Sequence, residues 1–182
     1  MRPSLLIALF TILGFAVACG DGSSAGDDLT PEQNLKQAQV LADQEKPDEA
    51  MKHLQSALDA EGAPAEVKTK AQFGAVVCQA KMGKGSGMNR WLDELEKANP
   101  AALDAKFYLG LAQTLLGKEE VATAGEVVAR GEKKFPGEAA IYTKIKGDLE
   151  KVKNDAGALA ALGYLGGSND NPDWVDLSNY WN

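Results

Sequence analysis

From Thr30 to Val152 apolar positions recur at helical spacing, and the run is broken at intervals by Gly or Pro. Tyr108, Leu111, Ala112 and Leu115 fall at i, i+3, i+4 and i+7, one face of a predicted helix. Ala124, Val128 and Gly131 form the facing stripe of a second helix, with Gly117 at the turn between them and Pro136 ending the pair. A looser copy lies upstream. Phe73, Val76, Val77 and Ala80 face Met88, Leu92 and Leu95, the turn is Met82-Gly83-Lys84-Gly85-Ser86-Gly87, and Pro100 closes the unit. A still earlier copy sets Ala38 and Leu41 against Ala50, Leu54 and Ala57 around Lys46-Pro47-Asp48-Glu49. Asn34 and Gln37 replace apolar residues there, so its first helix is expected to be less buried. Thr30-Pro31 with Gln33 is a helix start: a hydroxyl cap, Pro at the first helical position and an amide that reaches back. After Pro136, Tyr142, Ile145 and Leu149 mark one more stripe on a single helix.

The spacing of Tyr108, Leu111, Ala112, Leu115, Ala124, Val128, Gly131 and Pro136 resembles the tetratricopeptide repeat (TPR) across a whole unit. The resemblance implies an all-α fold: a short TPR-like α-solenoid of three helical hairpins plus a capping helix, over residues 30–153. The small residues Ala112, Ala124 and Gly131 let two helix backbones approach closely. In this family ligands lie on the concave face that the first helix of each hairpin lines. Transferred to this chain, that face is built from Leu35, Gln39 and Asp43, then Gly74, Cys78 and Lys81, then Lys106, Leu109 and Gln113. It lacks the cluster of Lys, Arg and Asn with which chaperone-binding members grip a terminal carboxylate. An extended peptide or a partner loop suits it better. A merely solvated surface position is the alternative for each of these residues.

The N-terminus is an address and is expected to be separate from the fold. Arg2 precedes an apolar run from Leu5 to Val17, whose thirteen residues span only about 20 Å as a helix against a hydrocarbon core of roughly 30 Å. Ala16-Val17-Ala18-Cys19-Gly20 resembles the lipobox of bacterial lipoproteins, with Ala16 where Leu is commoner. The resemblance implies a signal peptide over residues 1–18 and a covalent lipid on Cys19. The alternative is a secretory signal cut after Ala18. Residues 19–29 are rich in Gly, Ser and Asp and form a tether. Lipoproteins kept in the inner membrane commonly carry Asp after the lipidated Cys. Gly20 therefore implies the outer membrane, facing the periplasm.

Composition narrows the function classes. The net charge of −7 opposes a nucleic-acid surface, which needs clustered cations. One His and two Cys leave little for a metal cage, a disulfide framework or a catalytic relay. His53 is expected to be solvated, on the side of its helix away from Ala50 and Leu54, and no recognisable nucleophile motif accompanies it. Cys78 is expected to be a half-buried thiol without a redox role. The Gly-rich segment at residues 83–87 lacks the Gly-Lys-Ser/Thr order of a phosphate loop, and Asn169-Asp170-Asn171-Pro172-Asp173 lacks the Gly and distal Glu of a calcium loop. No enzyme activity, metal, small-molecule substrate or cofactor is expected beyond the lipid.

The C-terminal tail, residues 154–182, departs from the repeats. Its Leu162-Gly163-Tyr164-Leu165-Gly166-Gly167 resembles short segments found beside repeat arrays and at the ends of bacterial sulfatase domains, without the sulfatase motif. Two of the three Trp residues lie farther on. Either Leu162, Tyr164 and Trp174 fold back to finish the capping helix, or Tyr164, Trp174, Tyr180 and Trp181 form a docking strip. The expected function is a membrane-anchored periplasmic scaffold that binds an envelope protein or peptide through its concave face. The alternative is an accessory subunit of an envelope complex or enzyme, docking through the aromatic tail. Repeat lipoproteins of outer-membrane barrel assembly and of pilus assembly are the family analogies, at the level of fold alone.

Overall fold

The computed structural model describes residues 29–155, 157–165 and 173–182. The expected signal peptide, Cys19, residues 19–28 of the tether, Gly166, Gly167 and residues 169–172 lie outside the described residues. The first helix, α1 (Pro31–Asp43), opens as the sequence predicts. Thr30 Oγ1 accepts from the Gln33 amide at 3.2 Å, and Gln33 Oε1 accepts from the Thr30 amide at 2.9 Å. There follow α2 (Pro47–Asp59), α3 (Ala65–Lys81), α4 (Gly85–Ala98), α5 (Ala105–Leu116) and α6 (Val121–Lys134). A 3-10 stretch at Pro136–Tyr142 leads into α7 (Thr143–Asn154) and the single turn α8 (Ala158–Ala161), and a last 3-10 turn spans Leu177–Tyr180. The described residues are helical or irregular, with no strand among them.

Neighbouring helices pack as pairs: α1 on α2, α3 on α4, α5 on α6, with α2 also against α3. The apolar stripes read from the sequence form these contacts. Ala50, Leu54 and Ala57 of α2, Met88, Leu92 and Leu95 of α4, and Ala124, Val127 and Val128 of α6 are all buried. Gly131 is buried under two tyrosines. A Cβ there would meet Tyr142 Oη and come within 2.8 Å of Tyr108 Cβ, so the close approach expected of this small residue is present.

The three turns inside the pairs are built alike. At residues 45, 83 and 119 the backbone is left-handed, with φ of 58°, 65° and 61°. In each turn that residue's amide bonds a carbonyl three residues back, and the next amide bonds one five residues back: Glu45 to Ala42 and Lys46 to Leu41, Gly83 to Ala80 and Lys84 to Gln79, Glu119 to Leu116 and Glu120 to Leu115. This corrects two expectations. Gly117 ends α5 with an ordinary right-handed backbone, and Glu119 makes the turn. Gly85, Ser86 and Gly87, expected in the second turn, already belong to α4, so that turn needs only residues 82–84. Gly85 lies there because Thr123 Oγ1 would be 2.6 Å from any Cβ.

The first helix is less buried than α3 or α5, as expected, and Gln37 is exposed, but Asn34 is not and His53 overturns the expectation of a solvated imidazole. Both are buried, and His53 Nδ1 lies 2.9 Å from Asn34 Oδ1 across the α1–α2 contact. Two polar side chains that satisfy each other are tolerated where either alone would be costly. Asn34 also donates to the Leu29 carbonyl at 3.1 Å.

A polar cluster joins the second pair to the third. Tyr108 on α5 donates to Glu96 Oε1 on α4 at 2.5 Å, Arg130 Nε on α6 reaches the same oxygen at 2.6 Å, and Lys134 Nζ reaches Oε2 at 2.8 Å. Arg130 also bonds Asp93. Burial works against the Glu96 charge, but the bonds from Arg130, Lys134 and Tyr108 outweigh it and hold the carboxyl below its usual range. Beyond Pro136, α7 lies on α6 through Ile145, Leu149 and Val152. Tyr142, expected on this helix, belongs to the preceding 3-10 stretch, where its hydroxyl donates to the Ala105 carbonyl at 2.8 Å.

Candidate functional site

Helices α1, α3 and α5, the first of each pair, carry the predicted groove, and the chain's own residues 173–182 run across them. The path starts on α5. Gln113 Nε2 donates to the Asp173 carbonyl at 2.8 Å, and Gln113 Oε1 accepts from the Val175 amide at 2.8 Å. One side-chain amide thus engages a donor and an acceptor on the backbone of an extended segment. At the other end, Gln39 of α1 donates to the Trp181 carbonyl.

Between these two clamps the segment lies on glycines. A Cβ on Gly110 would come 2.7 Å from Leu177 Cδ2 and 3.0 Å from Val175 Cβ. A Cβ on Gly74 would come 2.5 Å from Trp181 Cε3 and 2.9 Å from Leu54 Cδ2. Carbon atoms pack best at about 3.5–4 Å, so neither site admits a side chain while the tail is seated. Leu177 and Trp181 are accordingly buried, at 5% and 2% exposure. Tyr180 stacks on Phe73 of α3, with centroids 5.6 Å apart and planes 27° from parallel, and meets Phe107 of α5 at 4.9 Å. Its hydroxyl donates to Asp104 Oδ1 at 2.6 Å, and the same oxygen caps α5 by accepting from the Phe107 amide at 2.8 Å. Burial, and then the neighbouring Asp104 charge, push the Tyr180 hydroxyl pKa well up.

The remaining tail aromatics serve the end of the helical array. Tyr164 is buried and donates to Asp148 Oδ2 of α7 at 3.0 Å, and Trp174 lies half-buried with Cη2 3.6 Å from where a Gly117 Cβ would stand. Tyr164 packs on α7 and Trp174 at the end of α5, while Tyr180 and Trp181 pack against α1, α3 and α5 of this same chain.

The predicted groove residues divide accordingly. Gln39 and Gln113 contact the tail directly. Asp43 and Lys81 line a cavity of about 870 Å³ together with Trp174, Val175, Leu177 and Trp181. Leu109 and Gln113 line a smaller one of about 480 Å³ beside Ile141, Ile145 and Tyr164. Leu35 and Cys78 are corrections: both are buried in the core, because the faces they occupy pack against neighbouring helices. Lys106 is exposed and lines neither cavity. Gly110, Asp104, Phe73 and Phe107, which receive the tail, escaped the reading of the groove. One signal was available: Gly74 and Gly110 both stand inside predicted first helices, where Gly is unfavourable.

The titratable groups have limited chemistry. Burial pushes the Cys78 thiol pKa up to about 12, against the opposing pull of Lys81, so the thiol stays protonated at neutral pH. The Nδ1 atom of His53 is occupied by Asn34. Among the described residues no three His, Cys, Asp or Glu side chains converge as metal ligands. No helix among them is long and apolar enough to cross a membrane.

No protein-family model, curated protein or solved structure matches this chain. Fold and site together define an all-helical protein of neighbouring helix pairs. Its groove holds residues 173–182 of its own tail, which close in a 3-10 turn at Leu177–Tyr180.

Proposed function

We propose that the chain is a TPR-like helical-repeat scaffold, anchored at the bacterial envelope by a lipid on Cys19, that binds an extended protein segment across α1, α3 and α5. The observation that carries the reading is the two-way bond of Gln113 to the backbone at Asp173 and Val175. Such a contact recognises extended main chain whatever its side chains, which is how a groove accepts a peptide. The three turns of matching geometry support a repeat, and the lipobox-like residues 16–20 support the anchor. In this reading the protein is not an enzyme, its ligand is an envelope protein or peptide, and it faces the periplasm from the outer membrane. Docking through the aromatic tail is the weaker reading, because Leu177 and Trp181 are already buried against this chain.

The test is photo-crosslinking in a diderm bacterium that makes the lipidated protein, with the crosslinking residue placed at Asp43, Lys81 or Lys106. A discrete envelope protein captured from positions 43 and 81 but not 106, and lost with Gln113→Ala, is the expected result. Equal capture from all three positions would refute a groove. Release of the Cys19→Ser protein from the membrane fraction checks the anchor independently.

A further inference from the structure

Two features mark how residues 173–182 are held. Their main chain is tied to the helices by the side chains of Gln39 and Gln113, not by a backbone ladder. An open cavity of about 870 Å³ adjoins the seat, walled in part by the tail's own Val175, Leu177 and Trp181. The receiving surface, by contrast, is shaped for an occupant. Gly74 and Gly110 stand mid-helix, where Ala would favour the helix, and their missing Cβ atoms are the floor on which Trp181 and Leu177 rest.

We propose that residues 173–182 are a resident ligand, displaced by a partner segment of the same chemistry: two aliphatic residues two positions apart, then adjacent Tyr and Trp three positions on. The aliphatic pair takes the Val175 and Leu177 places over Gly110. The Tyr takes the stack on Phe73 and Phe107 with its hydroxyl on Asp104, and the Trp takes the place over Gly74. This rests on the reading of the groove as a binding surface and adds to it the partner's chemistry and a built-in competitor. A segment on the same chain competes at high effective concentration, so only a partner that fits better, or that fills the cavity, displaces it.

The probe is a fluorescent peptide of residues 173–182, followed by anisotropy against the full chain carrying Cys19→Ser to remove the anchor. In that background Leu177→Ser with Trp181→Ser weakens the resident tail while leaving it attached. The tail-weakened chain should bind the peptide at least tenfold more tightly than the chain with its native tail. Adding Gln113→Ala should weaken that binding at least fivefold, and a peptide with Tyr and Trp moved out of place should bind no better than background. A tail-weakened chain that keeps its helical circular dichroism and ignores the peptide overturns the proposal. Loss of helical structure in that variant also overturns it, because the tail would then be core. Dimerisation of the native chain that the tail substitutions abolish would make the occupant a second copy, and overturns it too. Crosslinks from the groove to an envelope protein would survive any of these failures, so the broader reading is judged separately.

Discussion

Gly110→Ala is the sharpest probe of the seat, because its effect should change sign with the tail. In the interior of α5, Ala is favoured over Gly by about 1 kcal/mol. With the tail seated, the new methyl would stand 2.7 Å from Leu177 Cδ2 and 3.0 Å from Val175 Cβ, so Leu177 must withdraw by roughly 1 Å to restore normal contact. Gln113, one turn along the helix, holds the Val175 amide at 2.8 Å and limits how far the segment can slide. Fully burying a Leu is worth about 1.5–3 kcal/mol. Losing that at Leu177 outweighs the helical gain and leaves the intact chain about 0.5–2 kcal/mol less stable. For a domain of this size that lowers the melting temperature by roughly 1–8 °C. In a chain ended after Pro172 the clash is gone, and the same substitution should raise the melting temperature by about 2–4 °C. Thermal unfolding followed by far-ultraviolet circular dichroism in both backgrounds measures the sign. A shift in the same direction in both would refute the argument that the glycine serves the tail.

The other predictions concern the scaffold. The Glu96 carboxyl is held below its usual range, so its stabilisation is present above the unfolded value near about pH 4.3 and is lost as pH falls through the folded value. Urea midpoints measured down the acid range should therefore fall less steeply in Glu96→Gln than in the unmodified chain, and parallel curves would contradict this. Asn34→Ala leaves the buried His53 imidazole without its Oδ1 partner and should cost about 1–3 kcal/mol in urea unfolding; no loss would mean that water replaces the amide. At the left-handed turn positions, Glu119→Gly should stabilise by up to about 1 kcal/mol, whereas Gly83→Ala should destabilise by a similar amount. Changes of the same sign at the two sites would show that other contacts decide the turns.

What was legible in the chain follows from the range of each interaction. The stripes from Ala50 to Gly131 announce themselves because a helix repeats its buried face every three to four residues, and they are the buried surfaces of α2, α4 and α6. Turns were less legible. Gly83 marks one, but Glu45 and Glu119 hold the same left-handed backbone with no residue-type signal, supported by the amide bonds that close each helix. Asn34 and His53 looked like surface residues because each was weighed alone, and only their pairing across nineteen positions makes burial tolerable. The tail is the extreme case. Groove and aromatic strip were each visible as candidates, yet the bond from Gln39 to Trp181 joins residues 142 positions apart, and no periodicity carries such a pairing. It also makes the two candidates inseparable in experiment. A change at Gln113 or Gly110 alters the seat for any ligand and the hold on the resident tail together. Weaker partner capture by a groove variant therefore assigns a contact only when the same variant is also measured with its tail disabled.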